Sequence, residues 1–329
     1  MGYLLEINIM NRLLIALILA APLAAQSQVT VFSDSFSSST VNSLTPGAPT
    51  ANSTAYQVIA SKAWNPNPPT ITAGDLKYGI AATSGGGVEA QALFTATPVT
   101  LASAGDYVKL TLTFNNTVGV LNIPSYLGVG MFNASQVLPW AGGLNNSANN
   151  ANSTAVTGGA QNWQGYVAQI ATAGLNSRFM DRKAQTGPDN RNQVAVISGS
   201  AIYGPSTPSP VSIGTSGTGP SVTLALANPY TEVVKFTLLG TGALQLDSTL
   251  YDAGNNVLST MSATTGTTPL TTTFDALSIG WRATSTASVT TLDISSIQVA
   301  DFIQPVPEPS TLALAGLGTA ALFIRRRRA

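Results

Sequence analysis

Apolar residues recur at every second position along most of this chain, and its body lacks a sustained helical period. The clearest run is Tyr107–Phe114, where Val108, Leu110, Leu112 and Phe114 share one face and Tyr107, Lys109, Thr111 and Thr113 the other. Successive side chains of a strand point to opposite faces, so such a run sets one face on a core and leaves the other wet. Val234, Phe236 and Leu238 repeat the pattern, and Leu244, Leu246 and Leu250 alternate with Gln245, Asp247, Thr249 and Tyr251. Asp252-Ala253-Gly254-Asn255-Asn256 has turn chemistry and leads into Val257–Ala263, which predicts a hairpin. Leu277, Ile279 and Trp281 share an apolar face, which marks Trp281 as core. Leu292 and Ile294 hold one phase while Ile297 and Val299 hold the other, so a β-bulge is expected near Ser295-Ser296. A weak helical period occurs at Val167–Met180. Half-buried alternation of this kind belongs to antiparallel sheets, and the expectation is an all-β antiparallel sandwich.

Between the strands lie polar stretches: Ser37–Asn52, Ala141–Gln161 and Ser198–Pro220. The last reads as a long loop rather than a linker, because the strands after it do not close a sheet alone. Val29–Phe36 and Thr290–Phe302 read as strands at the two edges of the body and are expected to pair within one sandwich. The organisation read from these features is a segment 1–27, a β domain over 28–304 with long loops, and a segment 305–329.

Those two terminal segments are address labels. Met10-Asn11-Arg12 precedes an apolar run from Leu13 to Ala25, followed by Gln26-Ser27-Gln28. A basic start, an apolar stretch of about 7–15 residues and small residues at its exit describe a signal peptide, with cleavage after Ala25 or Ser27. Glu6 is foreign to such a leader, which favours Met10 over Met1 as the start. At the far end, Pro305-Val306-Pro307-Glu308-Pro309-Ser310 is followed by apolar Thr311–Ile324 and then Arg325, Arg326, Arg327 and Arg328. Fourteen apolar residues fall short of the roughly 20 that span a bilayer, and arginine snorkelling with local thinning makes up part of the difference. The positive-inside rule keeps the arginines cytoplasmic and puts the body on the opposite side, where a signal peptide would deliver it. A signal helix and a C-terminal transmembrane helix are therefore expected to flank the sandwich.

The order Pro-Glu-Pro, apolar helix, arginine cluster resembles the PEP-CTERM sorting signal of Gram-negative bacteria. Val306-Pro307-Glu308-Pro309-Ser310-Thr311, Leu312-Ala313-Leu314-Ala315-Gly316-Leu317-Gly318 and Arg325–Arg328 carry the match. The resemblance implies that Pro307, Glu308 and Pro309 are recognised by exosortase, a membrane protease-transpeptidase of organisms that make exopolysaccharide. It implies also that Arg325–Arg328 act as a topological stop. The alternative reading of the same residues is a plain membrane anchor with a proline-rich stem. More loosely, Phe32-Ser33-Asp34-Ser35-Phe36 near the start and Leu292-Asp293-Ile294-Ser295-Ser296-Ile297 near the end resemble the pattern of concanavalin/laminin-G-like jelly rolls.

Composition narrows the chemistry. With no cysteine and no histidine, disulfides, thiol nucleophiles, imidazole catalysis and Cys/His metal sites are excluded. The formal charge is zero, but the average is deceptive. Without Arg12 and the four tail arginines, nine cations remain; without Glu6 and Glu308, twelve acids remain, leaving the body at about −3. No nucleic-acid partner is expected from this balance. Glycoside hydrolysis needs two carboxyl groups about 5–9.5 Å apart, and the body's two glutamates, Glu89 and Glu232, stand alone in sequence. A non-enzymatic protein without cofactor is expected. Asp181, Asp189 and Asn190 sit among Arg178, Arg182, Lys183 and Arg191, a setting for local ion pairs rather than calcium, and no metal is assigned. Trp64 and Trp140 fall in Pro- and Gly-rich surroundings and are the candidate sugar-stacking residues.

The expected function is that of an exported protein, anchored in the inner membrane and then sorted to the cell surface or extracellular matrix. Its role there is structural or adhesive, with exopolysaccharide as the candidate ligand. The alternatives are an anchored polysaccharide hydrolase or lyase and a lectin-like module on a plain anchor.

Overall fold

The computed structural model describes residues 27–41, 49–50, 53–60, 69–80, 87–117, 124–137, 159–184, 194–195, 211–214, 219–283 and 290–304. Their strands are β1 (Val29–Asp34), β2 (Thr40–Val41), β3 (Ala55–Ala60), β4 (Thr70–Thr72), β5 (Asp75–Ile80), β6 (Gly87–Leu93), β7 (Val99–Thr100), β8 (Tyr107–Asn116) and β9 (Ser125–Asn133). A 3-10 turn at Gly159–Asn162 precedes β10 (Gln164–Thr172), β11 (Arg178–Arg182), β12 (Ser212–Ile213), β13 (Pro229–Leu238) and β14 (Leu244–Tyr251). The last four are β15 (Val257–Thr264), β16 (Thr273–Phe274), β17 (Ala276–Ala283) and β18 (Thr290–Phe302).

Two eight-stranded sheets face each other. Sheet I runs β15-β14-β13-β8-β18-β5-β4, with β1 also paired to β18; sheet II runs β12-β11-β10-β9-β17-β6-β3-β2. The short strands β7 and β16 pair separately. Strands from before and after Ser198–Pro220 share both sheets, since β13 pairs with β8 and β17 pairs with β9 and β6. The terminal strands meet as β1 against β18. At thirteen residues, β18 is long enough to pair with β5 up to Ile294 and with β1 beyond it. Its register against β8 shifts between Ile294 and Ser296. This is the bulge that the phase change demands, and Leu292, Ile294, Ile297 and Val299 are all buried because of it.

The inner faces make one core. Along β8 and β13 the buried positions alternate strictly, as the sequence pattern requires. Phe236 of sheet I meets Tyr166 of sheet II edge-on with ring centroids 5.7 Å apart, and Phe179 at 6.5 Å. The Tyr78 hydroxyl crosses from β5 to donate to the Ile279 carbonyl at 2.8 Å. Trp281 is fully buried in this core.

One expectation is corrected. Val167–Met180 is not helical but forms a hairpin of β10 and β11, with Gln169 opposite Arg178. The misleading period has a physical cause: sheet II is buried on both faces here. Ala168, Ile170 and Phe179 belong to the inner core while Val167 and Met180 join a second apolar cluster on the outer face, so alternation is blurred. The expected signal and C-terminal helices lie outside the described residues. Among the described residues no helix is long and apolar enough to cross a membrane.

Candidate functional site

Trp64 and Trp140 lie outside the described residues, as do Pro307, Glu308, Pro309 and Arg325–Arg328. The other two tryptophans are buried. Trp163 packs on Phe132 with centroids 6.1 Å apart and donates its Nε1–H to the Val137 carbonyl at 2.9 Å. Glu89 and Glu232 belong to different sheets: Glu232 points into the sandwich from β13, whereas Glu89 lies on the outer face of sheet II. Asp181 pairs with Lys183 at 3.5 Å and accepts from the Val211 amide, while Asp189, Asn190 and Arg191 lie outside the described residues. No group of three or more acids able to hold a metal ion occurs among the described residues.

The outer face of sheet II is roofed by its own chain. Glycines recur across its central strands, and a Cβ built on Gly128 would stand 2.3 Å from the Ala195 carbonyl oxygen. Absence of a side chain lets that backbone settle on the sheet. Beside it the Val194 amide donates to both Glu89 oxygens, at 3.0 and 3.3 Å, and Gln91 Nε2 and Ser278 Oγ each donate to Glu89 Oε1 at 2.7 Å. The buried carboxylate is thus held by three donors, as a charge removed from water must be. Arg182, also fully buried, donates to the Gln161 and Trp163 carbonyls. Desolvation lowers its pKa to about 9, and the charge of Glu89 opposes that drop. This polar cluster is a closed structural joint.

Among the described residues, the outer face of sheet I is open. Register places Lys109 opposite Lys235, Lys235 opposite Asp247, and Asp247 opposite Ser262, in one row across β8, β13, β14 and β15. The next row is Thr111, Val233, Thr249 and Thr260. Apart from Thr111, these residues line a groove of about 520 Å³ with Tyr251, ending beside Gly219 and Met261 at the β15 edge. Four strands make three steps of about 4.8 Å, so the groove crosses roughly 14 Å of sheet. Hydroxyls, two ammonium groups, one carboxylate and a phenol ring are arrayed along it, a set that can hydrogen-bond to several hydroxyls of an extended polar chain at once. Sequence alternation already put Lys109, Asp247, Thr249 and Tyr251 on the wet face; what it could not supply was the cross-strand register that joins them.

Fold and groove together define an all-β sandwich protein with a polar concavity on one sheet. The chain also carries, over residues 305–328, the PEP-CTERM protein-sorting motif; this motif is the recognition signal for exosortase and marks a protein sorted to the cell surface. Among solved structures, the chain is similar to the carbohydrate recognition domain of Emp47p, at 10% identity and a TM-score of 0.42, covering 86% of this chain and 100% of that one. It is similar also to the CBM2 module of the Lactobacillus casei BL23 phage J-1 evolved Dit, at 9% identity and a TM-score of 0.41, over 85% and 99%. Peanut lectin follows at 9% identity and a TM-score of 0.38, over 76% and 93%. No curated protein matches the chain in sequence.

Proposed function

We propose that this is an exported surface or extracellular-matrix protein whose β-sandwich acts structurally or adhesively by holding a saccharide chain, the producer's exopolysaccharide, in the groove of sheet I. The observation that carries the reading is the groove itself: an open concavity of about 520 Å³ lined by side chains that donate and accept hydrogen bonds. The sorting motif supplies the setting. Export delivers the body across the inner membrane, Arg325–Arg328 hold the tail on the cytoplasmic side, and exosortase processes the chain at Pro307-Glu308-Pro309. Trp64 and Trp140 supply stacking contacts to the saccharide.

A glycan array probed with the purified full-length chain tests the binding role. The expected result is retention of at least one polysaccharide, weakened by Trp64→Ala and Trp140→Ala. Absence of binding to every glycan would sink the adhesive reading and leave a purely structural one, and product release from a polysaccharide would replace it with an enzymatic one. For the sorting role, Pro307→Ala/Glu308→Ala in the producing cell is expected to leave unprocessed chain in the membrane fraction. An unchanged mature size and fractionation would show that the tail is a plain anchor.

A further inference from the structure

Resting on the saccharide-binding reading, we infer that the groove of sheet I selects anionic saccharide chains, uronate-bearing or of equivalent charge, through Lys109 and Lys235. The two lysines stand directly opposite each other on β8 and β13, an arrangement with Cβ atoms roughly 4.5–5.5 Å apart in which like charges are destabilising. Neither lysine forms an ion pair among the described residues. Lys109 Nζ donates to the neutral amide oxygen Oε1 of Gln28 at 2.7 Å, and Lys235 Nζ lies 5.6 Å from the centre of the Tyr107 ring. Both ammonium groups are thereby held in place without being neutralised.

The one carboxylate lining the groove, Asp247, stands opposite Lys235 and offsets the repulsion only in part. Asp247 accepts from Ser262 Oγ at 2.7 Å and Gln245 Nε2 at 3.2 Å, and forms no ion pair with either lysine among the described residues. Elsewhere the described cations are accounted for differently. Lys77 and Lys183 pair with aspartates, at 3.1 and 3.5 Å; Arg182 and Arg282 are buried; Arg178 binds Gln169 and covers the Tyr126 ring. Two adjacent positive charges without an ion pair among the described residues, facing one carboxylate in a groove lined with hydroxyls, match a chain that presents both hydroxyls and carboxylates. Neutral saccharides would gain hydrogen bonds there but no charge attraction.

The test compares alginate oligomers with neutral dextran of matched length, titrated against the full-length chain in detergent at low and high salt. Alginate should bind more tightly than dextran, and its affinity should fall as salt screens the lysines. Lys109→Gln/Lys235→Gln should lower the ratio of alginate to dextran affinity about tenfold, while Lys109→Arg/Lys235→Arg should preserve that ratio. The glutamine pair should melt no lower than the parent, because it removes a like-charge contact. Equal affinity for the two probes, salt-independent binding, or loss of binding in the arginine pair would overturn the inference while leaving a saccharide site in place. Failure of both probes together with every glycan on the array would remove that site and the inference with it.

Discussion

Glu232 shows what a single side chain's surroundings do to its chemistry. It shares the inner face of β13 with Tyr230, Val234 and Phe236, and its cross-strand partners are Leu112 and Leu250. Ser248 Oγ donates to Oε1, and Oε2 has no partner among the described residues. Burial in this apolar layer raises its pKa from 4.5 to about 8, against the opposing pull of Ser248; desolvation penalises the ionised form. The consequence for stability follows from proton counting. Below about pH 4.5 folded and unfolded chains are both protonated there, and the contribution is fully present. Between that value and about 8 the folded chain keeps a proton that the unfolded chain has lost, so stability falls as pH rises, at up to about 1.4 kcal/mol per pH unit. Denaturant titrations from pH 5 to 8 should show this decline, and Glu232→Gln, which cannot ionise, should flatten it. A variant that keeps the parent's slope would mean that another group is responsible. Glu89 differs from Glu232 because three donors surround it, although in sequence both are simply isolated glutamates.

At the level of elements, two packing arrangements carry separable predictions. Phe236 joins the sheets through Tyr166 and Phe179 and packs also on Phe274 of β16. Phe236→Ala removes that contact and leaves a cavity, at an expected cost of about 3–5 kcal/mol, read from urea unfolding. Gly128 is a different case, because its place on β9 admits the Ala195 backbone. Gly128→Ala forces that backbone away and should cost about 1–3 kcal/mol. Hydrogen exchange at the Val194 amide, whose acceptor is Glu89, should accelerate in the variant more than at the inner strands; uniform acceleration would point to global loosening instead. The turn at 252–256 needed no tertiary information. Asp252 Oδ1 accepts from the Gly254 and Asn256 amides, both at 2.8 Å, and Asn255 takes the left-handed conformation at φ 61°, as an Asp-Ala-Gly-Asn-Asn sequence allows. The β10–β11 hairpin did need such information: its apolar residues serve two cores, and periodicity registers only one buried face.

For the whole molecule, the chain alone determined the all-β class, the phases of β8, β13, β14 and β17, the bulge in β18 and the sorting tail. Each of these is local: alternation, turn residues and an ordered terminal motif are written in consecutive positions. Tertiary structure decided what long-range pairing controls. It set Lys109 against Lys235 across 126 residues of sequence, sealed the outer face of sheet II beneath Val194–Ala195, and left the outer face of sheet I open among the described residues. A period of two says which side of a strand is wet, but it cannot say whether another segment will cover that side or which strand will lie next to it. Those outcomes depend on register and loop docking, where separate stretches of chain compete to bury surface and satisfy polar groups. The groove proposed to hold a polyanionic saccharide exists only at that level.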